Sequence, residues 1–372
     1  MAGDDNGNMS WFALISGLLL LSSVAGAQEP GRVRDSLGVR IVEHGELRRL
    51  TPFKIAERPL LDLGGLKSVP DEELDWRNPF LAARPLSDGR WVAIDWGMLK
   101  VFEDRGRYIR TIGRPGRGPG ELGQLRDLCI ATGDTIVALG LMDRRIGVFD
   151  SSGSPVSTTA LPSARIGTEA CLGDGTVLVR HETFPDANAA LERFAQVDRV
   201  RWDGTLAGTF GVMPIESLDG MIGQVANIAG SGDRVYVGNG DTPEYRVHSA
   251  SGELLQIVRW QARPRRVTKA WREALIKSGS VPGPVERENF PFYGEIRPAP
   301  SNTVWIQDYP FLPGRRLIGY SVFDADGGFV GRVEAPPGMA RTNLGWIGPE
   351  RVLLMWRDDE GSHLTLHRIV PR

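Results

Sequence analysis

The chain of 372 residues predicts an all-β fold, a six-bladed β-propeller closed by an N-terminal strand and carrying a short helical insertion. Three observations lead there. The stretch Trp91 to Leu122 reads as three short strands, Trp91 to Ile94, Leu99 to Phe102 and Tyr108 to Ile112, with β-branched and aromatic residues alternating with polar ones. Asp104-Arg105-Gly106 turns the second strand into the third, and a glycine-rich connection follows. The pattern then returns from Thr135, from Thr176 with Val200, from Arg234 and from Thr303, and the hairpin glycines Gly106, Gly153, Gly204, Gly252 and Gly327 lie 47, 51, 48 and 75 residues apart. A period of this size with four strands per unit marks a propeller, because one such sheet buries little alone and must stack on copies of itself. Finally, a weaker unit from Val352 has only three strands, while Pro59 to Leu63 resembles Tyr108 to Ile112 and reads as the missing fourth. Pairing the two ends removes exposed sheet edges.

Taken in order, Trp11 to Ala27 is an apolar run too short for a comfortable membrane span, and it ends in the small-residue pattern Ala25-Gly26-Ala27. Residues 1–27 are therefore expected to be a secretory signal, leaving a periplasmic or extracellular protein with no membrane span after cleavage. Asp4 and Asp5 precede the run and no Lys or Arg does, a departure that a start at Met9 would remove; the alternative is an uncleaved anchor. Residues 28–58 read as a polar lead segment with Gly38 to Glu43 as its one strand-like run, and residues 59–372 as the ring. One long interruption, residues 263–292, contains Val267 to Lys277 with the helical spacing of Val267, Trp271, Ala274 and Leu275 and with Gly279 as a stop. Pro282, Pro284 and Pro291 keep the remainder irregular, and the whole is expected to pack over one face of the ring.

Charge names no partner. The 44 basic and 46 acidic residues balance, and no basic tract or aromatic-basic interleaving points to nucleic acid. The ring is of monomeric size. Cys129 and Cys171 fall on the first strands of neighbouring units, where pairing in an oxidising compartment competes with two small buried thiols. The second reading is preferred, on the ground that adjacent innermost strands diverge around a channel.

The opening DSLGVRIVE at Asp35, the motif Gly113-Arg114-Pro115-Gly116-Arg117-Gly118-Pro119-Gly120-Glu121, the VFDSSG and VFDADG hairpins and the closing VLLMWRDDEG together resemble the family of bacterial six-bladed β-propeller proteins related to NHL-repeat propellers. The resemblance covers most of the chain after residue 27 and implies a secreted or periplasmic propeller, adding more to the fold than to the function. The helical insertion, and a third unit in which Phe184 to Gln196 lengthens a connection, depart from the family pattern.

Candidate site residues come from two places. The glycine-rich loop lacks the spacing of a dinucleotide fingerprint and the Gly-Lys-Ser/Thr of a P-loop, and Pro115 and Pro119 remove amide donors, so it reads as a tight blade-to-blade connection. Arg114 and Arg117 on it are candidates for holding an anion. The second place emerges when the units are aligned on the start of their second strands, at Trp91, Ile136, Val177, Val235, Val304 and Val352. Four residues on stand Asp95, Gly140, His181, Asn239, Asp308 and Trp356. In a propeller these positions lie on the face of the blade-to-blade loops. Asp95, His181, Asn239 and Asp308 there suit either a hard cation and acid-base work or the closing of their own turns. Trp96, beside Asp95, is placed to stack on a sugar or another flat ligand. His363 and His367 lie on a strand without HExxH, and no GxSxG elbow or cofactor motif is present, so the sequence names no cofactor. The leading functional expectation is a binding or interaction scaffold presenting its loop face to a peptide, glycan or envelope protein. Its rivals are a metal-assisted hydrolase or lyase at the channel mouth and a purely structural module of an envelope assembly.

Overall fold

The computed structural model describes residues 31–48, 50–63, 74, 82–140, 144–161, 166–183, 192–217, 227–277, 288–309, 319–336, 339, 343–358 and 361–372. The expected signal, residues 1–27, lies outside them. Four-stranded antiparallel sheets follow one another along the chain and form a six-bladed propeller. Blade 1 is Ala83–Pro85, Trp91–Asp95, Met98–Phe102 and Tyr108–Ile112; blade 2 is Leu125–Ala131, Thr135–Gly140, Arg145–Phe149 and Pro155–Ala160. Blade 3 is Ile166–Cys171, Thr176–Thr183, Glu192–Arg201 and Leu206–Ser217; blade 4 is Asn227–Ser231, Arg234–Gly238, Glu244–Ser249 and Leu254–Gln261. Blade 5 is Tyr293–Pro298, Val304–Asp308, Gly319–Phe323 and Phe329–Glu334, and blade 6 begins with Asn343–Ile347, Arg351–Asp358 and Gly361–Pro371.

The second strands are apolar almost throughout because both of their faces are covered. In Trp91–Asp95, Val92 and Ile94 join the apolar cluster that holds Ile136 and Ala138 of blade 2, while Trp91 and Ala93 join the one that holds Leu353 of blade 6. Blade 2 repeats the division, with Val137 and Leu139 packed with Val177 and Val179 of blade 3. Period-two alternation thus sends successive side chains to the two neighbouring blades rather than to core and solvent. The hairpin glycines Gly106, Gly153, Gly204, Gly252 and Gly327 all sit at positive φ, as their turns require.

Three features differ from the sequence expectation. The lead segment carries more strand than its one expected run. Arg32–Ser36 and Val39–Glu46 form a hairpin about Leu37 and Gly38, and Val39–Glu46 adds in parallel to the outer strand of blade 4, with Arg40 opposite Gln256. The chain then passes blade 5, where Leu50 accepts a 2.6 Å hydrogen bond from the Arg332 amide. Phe53–Ile55 and Leu61–Asp62 go on to pair antiparallel with the last strand, Leu61 opposite Leu366. Second, in blade 3 residues 192–196 of the stretch expected to lengthen a connection belong to the third strand, with Thr183 paired to Phe194, while residues 184–191 lie outside the described residues. Third, Cys129 and Cys171 form a disulfide with a Cα separation of 6.2 Å. Inner strands of adjacent blades converge on the axis closely enough to fall within the usual disulfide span of about 4.4–6.8 Å, which corrects the reading of two unpaired thiols. The short helix of the insertion is present as Lys269–Lys277, and Trp271 meets Phe290 edge-on at 4.8 Å.

Candidate functional site

First strands run into the turns that lead to second strands, so the ends of the second strands and the blade-to-blade connections share one face, called here the loop face. All six aligned runs are second strands. The end residues Asp95, Asn239 and Asp308, however, are engaged within the chain. Asp95 closes its strand with 5% of its surface exposed, and its Oδ2 lies 2.7 Å from Lys100 Nζ, itself buried. Lys100 sits opposite Ala93 and reaches Asp95 diagonally across the hairpin. Asn239 Oδ1 accepts the Asp241 amide at 3.1 Å and so closes its own loop. Asp308 is ion-paired with Arg332, whose Nη1 also donates to Ser321 Oγ at 3.0 Å. Gly319 makes that contact possible, because a Cβ there would stand 2.7 Å from Asp308 Oδ2. His181 pairs with Ile166 in the blade 3 ladder, and its side chain lies outside the described residues. Among the described residues no three His, Cys, Asp or Glu side chains are grouped to hold a metal ion.

The structure does bring Trp96 and the glycine-rich loop together. Trp96 occupies the left-handed region at φ 57° with 41% of its surface exposed, in a two-residue turn between Asp95 and Met98. Its carbonyl accepts the Leu125 amide at 3.1 Å. Gly97 is needed beside it, since a Cβ would lie 3.0 Å from the Leu122 carbonyl oxygen. Within the loop, Arg114–Pro115 pairs in parallel with Glu121–Leu122, and the backbone folds around the Glu121 carboxylate. Gly118 N donates to Oε2 at 2.7 Å and Arg114 Nε to Oε1 at 2.9 Å. The Gly118 amide, then the Arg114 guanidinium, hold the Glu121 carboxyl below its ordinary pKa. The loop therefore already contains an anion, its own; Arg114 serves that carboxylate, and Arg117 points to solvent as an exposed residue.

Two concavities flank this ring. On the loop face, a cleft of about 280 Å³ lies between blades 4 and 5 under the insertion, and it contains Asp308, Ser321 and Arg332 with Trp260, Phe292 and Ile306. Arg263 and Arg265, both exposed, stand at its edge. At the other end, a cavity of about 460 Å³ fills the channel among the first strands and is lined by residues of every blade, among them Arg84, Asp127 and Arg297. Arg84 Nη2 is 2.9 Å from Asp127 Oδ1, and Arg297 Nη2 is 2.8 Å from Glu295 Oε2. Glu295, with Asp127 adding to it, raises the Arg297 guanidinium above its ordinary value. None of these channel residues was a sequence candidate. Polar residues on a first strand that face the channel are spaced like those that face solvent, and only the position of the strand next to the axis would have marked them. Of the candidates, Asp308 alone lines either concavity.

Residues 92–191 match a family model described as a 6-bladed beta-propeller. Among solved structures, the chain is similar to a putative exported protein from Bacteroides fragilis, with TM-score 0.55 and 12% identity over 89% of this chain and 99% of that one. It is also similar to a member of the DUF4221 family from Bacteroides vulgatus, with TM-score 0.53 and 10% identity over 86% of this chain and 99% of the other. A catalytically inactive virginiamycin B lyase from Staphylococcus aureus aligns at TM-score 0.40 and 13% identity over 78% and 97% of the two chains. No curated protein matches. The chain is thus a six-bladed β-propeller. Among the described residues no helix is long and apolar enough to cross a membrane.

Proposed function

We propose that this chain is an exported, monomeric propeller that works as a non-catalytic binding module, with residues 1–27 removed as a signal and the ligand taken on the loop face. The carrying observation is the cleft between blades 4 and 5. Its floor is the Asp308, Arg332 and Ser321 network, and its walls are Trp260, Phe292 and Ile306. A few placed polar groups within aromatic walls orient a ligand while burying its apolar surface, and a peptide side chain or a sugar ring has the matching chemistry. Elsewhere on this face the carboxylates of Asp95 and Glu121 are engaged by Lys100 and Arg114, which favours a reading in which the face offers shape and aromatic surface. Export is supported by the Cys129–Cys171 disulfide, a bond that persists in oxidising compartments, and accords with the description of the Bacteroides fragilis structure of similar fold as a putative exported protein.

Arrays of short oligosaccharides and peptides probed with the intact chain test this reading. A distinct set of members should be retained, and a variant combining Arg265→Ala with Asp308→Asn should retain them at least about tenfold more weakly, as loss of hydrogen bonds to charged groups implies. Retention of nothing, or equal retention by the variant, would overturn it.

A further inference from the structure

The channel end away from the loop face presents two charged atoms, one on Asp127 and one on Arg297, that make no hydrogen bond among the described residues, although the two side chains feel each other's charge. Asp127 Oδ1 accepts Arg84 Nη2 at 2.9 Å and the Leu128 amide at 2.8 Å, which leaves Oδ2 open. Arg297 directs Nε and Nη2 at Glu295 Oε2, at 2.9 and 2.8 Å, which leaves Nη1. Both residues line the cavity of about 460 Å³, a volume within the roughly 300–1,000 Å³ of small-molecule sites. They stand on the first strands of blades 2 and 5, which are opposite blades in a ring of six. A carboxylate and a guanidinium therefore stand on opposite walls of the cavity, which Leu128, Ile130, Pro298 and Leu344 also line.

A second feature narrows the ligand. Each first strand pairs strand-to-strand only with the second strand of its own blade, so its other backbone edge is turned to the axis, where Gly345 O already accepts Arg84 Nη1 at 2.6 Å and Gly294 O accepts Asn227 Nδ2 at 2.7 Å and the remaining groups are open to a ligand. Such an edge offers N–H and C=O groups to another extended backbone. We propose that this cavity binds a short linear peptide with free ends, its ammonium on Asp127, its carboxylate on Arg297 and its backbone along a first-strand edge. A single α-amino acid carries both charges on one carbon and has no further backbone to lay along a strand edge.

Calorimetric titration of the intact chain with trileucine, N-acetyl-trileucine and trileucine amide tests the assignment. The free-ended peptide should bind, and either block should weaken binding at least about tenfold, since each removes a charge-assisted contact. Arg297→Gln should make the amide and the free acid equivalent, and Asp127→Asn should do the same for the acetylated and free forms. Binding should be unchanged in Arg265→Ala, which separates this site from the loop-face cleft. Absence of binding by the free-ended peptide at millimolar concentration, equal binding of the blocked forms, or equal binding of leucine alone would overturn the proposal. These peptide comparisons use the unaltered protein and do not depend on any variant folding.

Discussion

Removal of residues 1–63 is expected to abolish cooperative folding of the remaining chain. That segment supplies the strands Phe53–Ile55 and Leu61–Asp62 on the last strand of blade 6, and the hairpin strand Val39–Glu46 on the outer edge of blade 4. Its side chains enter the apolar clusters: Val42, Ile55, Leu61 and Leu63 are exposed by only 2%, 3%, 5% and 0%. Full burial of one such side chain contributes about 1.5–3 kcal/mol, so four of them amount to roughly 6–12 kcal/mol. The net stability of a folded domain is only about 5–15 kcal/mol. Two sheet edges are also reopened, which favours aggregation. Thermal unfolding followed by circular dichroism should show no sharp transition in the truncated chain. Leu61→Ala, a milder change that should still fold, should cost about 2–5 kcal/mol. A truncated chain that melts like the intact one would show that the N-terminal strands only lie against the ring.

Lys100→Met should be among the most destabilising single substitutions. Lys100 and Asp95 side chains are 5% and 7% exposed and 2.7 Å apart. Removing the cation leaves a carboxylate buried with its main counter-charge gone, and breaking a buried pair in this way costs about 3–5 kcal/mol. Replacing both members costs much less, because neither charge is then stranded. Lys100→Met combined with Asp95→Asn should therefore recover most of the loss in urea unfolding. A single variant within about 1 kcal/mol of the intact protein, or a double variant no better than the single, would contradict this account of the strand end.

Much of the ring was legible because its cause is local. The apolar second strands, the Asp-Gly hairpins and the helix over Lys269–Lys277 follow from spacing within a few residues. The Asp95 and Lys100 pair was also within reach, since a two-residue turn between Asp95 and Met98 places Lys100 diagonally across from Asp95. Asp308 and Arg332 were harder to connect, because the contact skips a whole strand over the bare backbone of Gly319. What escaped the sequence depends on distant partners. Val39–Glu46 gains its pairing from a strand more than 200 residues away, Arg40 opposite Gln256. The disulfide depends on how tightly the first strands converge, and the channel charges on which side of those strands faces the axis. The aligned loop-face positions fall at or within two residues of second-strand ends, but alignment does not reveal whether a carboxylate there already has a cation.

That point decides between a binding module and a metal-assisted enzyme, and the melting curve of the intact, dialysed protein in millimolar calcium, magnesium or zinc tests it most directly. A cation bound only by the folded ring would stabilise it by about 2.7 kcal/mol at one hundred times its dissociation constant, enough to move the transition by several degrees. Because Asp95 is paired with Lys100 and Asp308 with Arg332, the transition should stay where it is with all three ions. A rise of several degrees with any of them, lost in Asp95→Asn or Asp308→Asn, would contradict the account and put a metal at the channel mouth.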